Sequence, residues 1–420
     1  MKKILTIAIA LLALNVAAQS LPVTSVRVFD EAVRTLQVYP ASNPYLPPVI
    51  NLNGDDRIIV SFDLLDYDLH YLRYSLVHCD ANWTPSQLFE SEFVDGFNYA
   101  DITDYAQSVA TFTHYYNYTF ALPNDDMRIT KSGNYLLKVY EQDDPDHVLF
   151  QTRFMVADVK VGVQATVTSR TDVDYNNEHQ QLAIDLNYKP GTIDDPYSNL
   201  LTVVSQNTRT DEDHLLRRPT SVAVGQVTYE HMPQLIFNAG NEYHRFEHVN
   251  TGTINMGIQR IDYFEPFYHA TLYTDEPRRE LQHLYDQTRH GRFTIRNSMA
   301  DDSRVEADYV ITHFTLDAGG PLSGGNIFLE GEFTHGYDPR SALMTYDMST
   351  GMYHAEVMLK QGQYNYQYLW VPEGQSIGLT SMVDGDKFQT SNQYFIRVYY
   401  RPSGGRYDQL VGYGIVYSGL

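Results

Sequence analysis

The chain has 420 residues and carries 52 acidic against 30 basic side chains, a net charge of −22. That balance excludes a nucleic-acid or anionic-lipid binder, because contact with phosphate needs a basic surface. Hydrophobic residues make up 43% of the chain, enough for packed cores and too many for a disordered acidic tail.

At the N-terminus Met1-Lys2-Lys3 precedes an apolar run from Ile4 to Leu14, and Val16-Ala17-Ala18 closes it before Gln19. Positive start, short apolar core and small residues at the cut are the pattern of a cleavable secretory signal peptide, here residues 1–18. The run is too short to span a bilayer, which takes about 20 residues. No cysteine follows Ala18 to accept a lipid, and no later segment is long and apolar enough for a membrane-spanning helix. The chain has a single cysteine, Cys79, so no internal disulfide is available and the fold must hold by packing.

Turn and strand signals then follow one another at short intervals. Asn53-Gly54-Asp55-Asp56, Lys131-Ser132-Gly133-Asn134, Lys189-Pro190-Gly191 and Ser349-Thr350-Gly351 place glycine where a tight turn needs positive φ. Tyr74 to Cys79 alternates as a strand, which puts the Cys79 thiol in a buried, structural position. Tyr135-Leu137-Val139, Leu182-Ile184-Leu186 and Tyr394-Ile396-Val398-Tyr400 read as further one-faced strands. One helix is predicted, from Pro277 to Tyr285, with Asp275 as a cap and Leu281, Leu284 and Tyr285 on one face. Tyr353, Ala355, Val357 and Leu359 form one alternating run and Tyr364, Tyr366, Tyr368 and Trp370 the next. The turn-like residues between them predict a hairpin. The fold class expected from many short strands is all-β, with several immunoglobulin-like sandwiches. Breaks between Phe154 and Val163 and across Asn297 to Ser303 divide the mature chain into Leu21–Asp158, Val159–Ser303 and Arg304–Leu420.

The chain has no Gly-x-Ser-x-Gly elbow and no His-Glu-x-x-His zinc motif. His244 with His248, and His283 with His290, are the closest histidine pairs. On a strand, the first pair would share a face but lie too far apart to chelate alone. Asp143-Asp144-Pro145-Asp146 and Asp384-Gly385-Asp386 lack calcium-loop spacing and read as solvated turns. Asn82-Trp83-Thr84 and Asn117-Tyr118-Thr119 match a glycosylation pattern that is short and common. The row Tyr364-Tyr366-Tyr368-Trp370 reads as core, with a sugar-stacking platform as the alternative. The expectation is therefore no catalytic residue, no metal, no cofactor and no small-molecule substrate.

Two stretches carry more than general β character. The first runs from Tyr74 through His78-Cys79-Asp80 and Trp83-Thr84-Pro85-Ser86, and continues in Glu92 to Phe97, Tyr115 to Tyr118, Pro123-Asn124 and Thr130 to Val139. It resembles the N-terminal domain of the type IX secretion system plug proteins of the Bacteroidetes. The second joins Gln206-Asn207-Thr208-Arg209 to Ala239-Gly240-Asn241-Glu242-Tyr243. It is similar to the middle of that family, where a Gly-Gly-Asn-Glu-Phe string is usual; Ala239 and Tyr243 depart mildly from it. Phe328 to Thr334 and Tyr364 to Tyr368 resemble immunoglobulin-like early-set modules, glycogen-binding ones included, and the plug family carries such a tail.

The resemblance implies a periplasmic, non-enzymatic protein at the periplasmic face of the outer membrane. There it would seal the very large β-barrel translocon through which type IX cargo leaves. An exported carbohydrate-binding protein is the alternative. A barrel is disfavoured, because the strands carry Asp, Arg and Asn too freely for a lipid-facing surface.

Overall fold

The computed structural model describes residues 24–335 and 342–419; the expected signal peptide lies outside the described residues. Strands dominate throughout. Among the described residues the α-helical turns Glu90–Phe93, Pro196–Asn199 and Ser303–Glu306 run four residues each. None is long and apolar enough to cross a membrane.

Alternation in the first part of the chain builds two facing sheets. One orders Arg27–Val28, Asp144–Ala157, Gly133–Glu141, Leu72–Cys79 and Ala100–Asp101, with Val49–Asn51 joined in parallel to Asp144–Ala157. The other orders Val33–Pro40, Ile58–Leu64, Tyr116–Leu122 and Tyr105–Gln107. Every second residue of Ile58–Leu64 turns inward, so Val60 and Phe62 meet Leu76, Leu137 and Phe150 in one core. Phe62 stacks on Tyr118 at 5.2 Å and meets Phe150 edge-on at 4.8 Å. Each such buried side chain contributes about 1.5–3 kcal/mol of hydrophobic stabilisation.

The chain leaves this sandwich after Ala157 and enters a second at Val161. One of its sheets orders Val161–Thr168, His179–Tyr188, Gln226–Tyr229 and Ser221–Ala223. The other orders Asp213–Leu216, Leu200–Gln206, Gln393–Tyr400 and Gln409–Tyr417. The last two strands of the chain thus complete the second sandwich, with Val204 opposite Ile396 and Thr202 opposite Val398. The third sandwich is inserted between these halves. It pairs Gly362–Pro372 with His244–Glu247, Thr294–Ile295 and Gly325–Glu330, and faces a sheet of Ile258–Phe264, Phe267–Leu272, Tyr309–Leu316, Met352–Lys360 and Thr345–Asp347.

Sheet membership therefore departs from the division expected at Ser303. Phe267–Leu272 and Tyr309–Leu316 are parallel neighbours across that point, Tyr268 opposite Val310. A polar break in sequence marks a loop, and that loop lies inside a sandwich. The expected hairpin is also corrected. Met352–Lys360 and Gly362–Pro372 do not pair; they lie in the two facing sheets of the third sandwich. Gln361 makes the crossing: its N–H donates to the Asp308 carbonyl, and its side-chain oxygen accepts from the Asp308 N–H. Of the four predicted turn glycines, Gly133, Gly191 and Gly351 have positive φ, whereas Asn53 takes that position in the first turn.

Candidate functional site

The two sequence stretches singled out above lie at the joints between sandwiches. Gly133–Glu141 is buried on both faces, so Leu137 points into the first core while Leu136 points out of it. Leu136, Cys79, Trp83, Met155 and Ala157 then meet Val203, Phe395, Tyr399 and Leu410 of the second sandwich. Polar groups close the edge of this joint. The Tyr399 hydroxyl donates to Asn134 Oδ1 at 2.8 Å, the Ala81 N–H to Asp408 at 3.0 Å, and the Asp408 N–H to Asp80 at 3.0 Å. Cys79 is buried here, free of any disulfide, and burial pushes its thiol up to about 11. His78 is fixed by Ser86 at 2.8 Å and the Ser132 carbonyl at 3.1 Å.

The second stretch forms the joint between the second and third sandwiches. Asn207 donates to Asn392 at 2.8 Å and Thr208 to the His290 carbonyl at 3.1 Å. Arg209 pairs with Asp211 at 2.7 Å and donates to the Gly378 carbonyl at 2.8 Å. The Gly240 N–H donates to Asp386 at 2.8 Å, and the Tyr243 hydroxyl to Glu330 at 2.9 Å. Burial raises Glu330 above the usual carboxylate range, against the pull of Arg209.

The joint between the first and third sandwiches centres on a carboxylate that sequence reading missed. Asp63 points outward from Ile58–Leu64, yet it is fully buried because the third sandwich covers it. It accepts from Lys360 Nζ at 2.6 Å, the Tyr309 hydroxyl at 2.6 Å and Asn117 Nδ2 at 2.8 Å. Lys360 also donates to the Arg304 carbonyl at 2.6 Å and lies 4.1 Å from the Tyr115 ring centroid. Burial, opposed by Asp63, depresses its ammonium. No local pattern marks Asp63 or Lys360, since they lie 297 residues apart and even their nearest other partners, Asn117 and Arg304, are 54 and 56 residues away in sequence. Asn117, part of a glycosylation pattern, is buried here.

Asp384 corrects another expectation. It is no solvated turn residue but a buried one, 1% exposed at its side chain. It accepts from His244 Nε2 at 2.8 Å, Arg278 at 2.7 Å and the Tyr368 N–H at 2.9 Å. His244 Nδ1 meets Asp275 at 3.1 Å, and Asp275 also accepts from the Tyr366 and Tyr368 hydroxyls at 2.7 Å each. Burial alone would depress His244; the two carboxylates outweigh it and lift the imidazole to about 9. With both nitrogens donating to carboxylates, the protonated His244 has no free lone pair with which to act as a base. The other cluster, Asp143 to Asp146, is an exposed hairpin end. His248 shares the His244 strand face, and burial lowers it to about 4. His283 bonds Glu242 at 3.2 Å, while His290 stands apart near Tyr417. Among the described residues no three His, Cys, Asp or Glu side chains gather as metal ligands.

The predicted helix at Pro277–Tyr285 is absent; the segment is an extended loop. Tertiary anchors override the helical spacing. The Arg278 and Arg279 N–H groups donate to the Val383 carbonyl, the Arg278 guanidinium grips Asp384, and His283 grips Glu242. Asp275 is engaged by the tyrosines and His244 instead of capping. The loop lies so close to Gly385 (φ 77°) that a Cβ there would stand 2.5 Å from the Arg279 Cα. Tyr364, Tyr366 and Tyr368 belong to the third core, so the tyrosine row is no open sugar platform.

Fold and joints together define a class: an all-β, three-sandwich protein with buried charged groups paired at the joints between its parts. Residues 33–158 match the family described as type 9 secretion system plug protein 1st domain, the stretch that forms most of the first sandwich. Its first domain is thus that of the type IX secretion system plug protein family, which points to the cell envelope. The chain is also similar, at 40% identity, to a hypothetical protein from Parabacteroides merdae ATCC 43184 known from its crystal structure. That likeness covers 94% of this chain and 99% of the other, with a TM-score of 0.92. No curated protein matches the chain.

Proposed function

We propose that this chain is a non-enzymatic periplasmic plug. It binds the periplasmic opening of the outer-membrane type IX translocon barrel and closes it while no cargo is engaged. The observation that carries this reading is the locking of the three sandwiches at the family-like stretches. A body that occludes a pore must keep its shape under load, and buried, hydrogen-bonded joints give it that stiffness. The titratable groups at the joints are paired in ways that suit holding, as Asp63 with Lys360 illustrates. A glycan-binding role drew on the tyrosine row, which is buried. The test is capture of outer-membrane proteins by the tagged full chain, with mass spectrometry. Recovery of a large barrel supports the reading, and its absence under conditions that preserve the barrel overturns it.

A further inference from the structure

We propose that the strand Ile258–Phe264 is a self-pairing edge, through which two copies of this chain join antiparallel about a two-fold axis centred on Ile261. This pairing does not depend on the plug reading.

The strand is the outer one of its sheet, paired with Phe267–Leu272 on one side only. Such an edge turns alternate N–H and C=O groups outward, where another extended chain can satisfy them as a row. No other group among the described residues bonds the backbone from Gln259 to Phe264 on that side. The other outer strands run four residues or fewer, or are covered. Val161–Thr168 and Gln409–Tyr417 close on each other, Val33–Pro40 lies against the third sandwich, and Ile327 in Gly325–Glu330 accepts from the Met344 N–H. The register irregularity at Gln259 falls at the start of Ile258–Phe264, so Arg260 to Phe264 stay regular.

The side chains name the occupant. Arg260 and Asp262 project from one face, one residue to either side of Ile261. Antiparallel pairing centred on Ile261 sets Arg260 of each copy opposite Asp262 of the other, so a single two-fold seam holds two opposite-charge pairs. A parallel seam or a slipped one loses this match. The charges are within reach of a second copy. Arg260 is 65% exposed at its side chain and Asp262 36%; they meet within the strand at 3.0 Å, and the outer guanidinium nitrogens make no hydrogen bond among the described residues. The ends match as well. Tyr263 and Phe264 are exposed at one end of the strand, with the exposed Phe112 of the first sandwich 5.4 Å from the Tyr263 ring. Ile254 and Met256 are exposed ahead of the other end. The same two-fold brings the Ile258 end of one copy to the Phe264 end of the second, so each apolar end covers the other.

The test is sedimentation equilibrium of the chain without residues 1–18, across about 1–500 μM. A seam of this length supports a Kd of about 1–100 μM, so the parent should pass from monomer to dimer within that range. Arg260→Asp and Asp262→Arg each replace both opposite-charge pairs with like-charge pairs, and each should weaken dimerisation about ten-fold at an unchanged melting temperature. The double variant restores opposite charges across the seam and should recover the parent's Kd. Monomer throughout overturns the proposal and leaves the edge to a strand of another protein. Single variants that dimerise like the parent place the seam elsewhere and overturn it, and a double variant as weak as the singles overturns the register.

Discussion

Asp63→Asn should destabilise the joint between the first and third sandwiches by about 3 kcal/mol, near the lower end of the range for breaking a buried ion pair. The magnitude follows from what is left behind. Asp63 and Lys360 are each no more than 1% exposed at the side chain and meet at 2.6 Å. Removing the carboxylate charge seals an ammonium away from water. Its remaining support is the Arg304 carbonyl and the Tyr115 ring, which keeps the cost from rising further. Lys360→Met should cost a similar amount by leaving the carboxylate with Tyr309 and Asn117 as its donors. Together the two substitutions leave no sealed charge, so the double variant should lose less than either single one. Urea unfolding, followed by tyrosine and tryptophan fluorescence and fitted transition by transition, measures all three. Single variants that each lose under about 1 kcal/mol, or a double variant equal to the sum of the singles, would refute the reasoning.

Other consequences can be checked alongside. His244 is lifted to about 9 from an ordinary 6.5, so its contribution to stability is full below 6.5 and is lost as pH rises through about 9. The melting temperature should therefore fall over that window, and by less in His244→Gln; an identical fall in both contradicts the assignment. The Cys79 thiol, pushed up to about 11, should resist a thiol reagent at neutral pH until the chain unfolds. Cys79→Ala should cost about 1 kcal/mol and leave partner capture intact, and capture lost with folding retained would make the thiol functional. N-terminal sequencing of the exported protein should begin at Gln19, and a retained Met1 would remove the signal-peptide reading.

The strands were legible because side-chain period is a local property. Tyr353 to Leu359 announces a strand with one buried face, and the same alternation marks Tyr364 to Tyr368, where Asn365 and Gln367 turn out to be buried as well. Which strand lies beside which is not local. A tight link such as Lys360-Gln361-Gly362 fits a hairpin and a crossing between facing sheets equally well, and here Asp308 and the neighbouring strands decide for the crossing. The return of Gln393–Tyr400 to Leu200–Gln206 is likewise a pairing across nearly two hundred residues. Leu281, Leu284 and Tyr285 carry helical spacing, but Asp384 and Glu242 hold the segment open from outside it. Buried charges were the least legible, since Asp384 in a Gly-Asp string looks like any exposed turn. The motif residues His78-Cys79-Asp80 and Asn241-Glu242-Tyr243 stood out as strings, and the structure supplies their reason: they pack the joints.

Occlusion of the translocon is measured most directly as leakage. Cells lacking this protein should admit large antibiotics or dyes that the outer membrane excludes, and deleting the translocon barrel as well should restore exclusion. Unchanged entry in the single deletion, or leakage that persists without the barrel, would contradict the account.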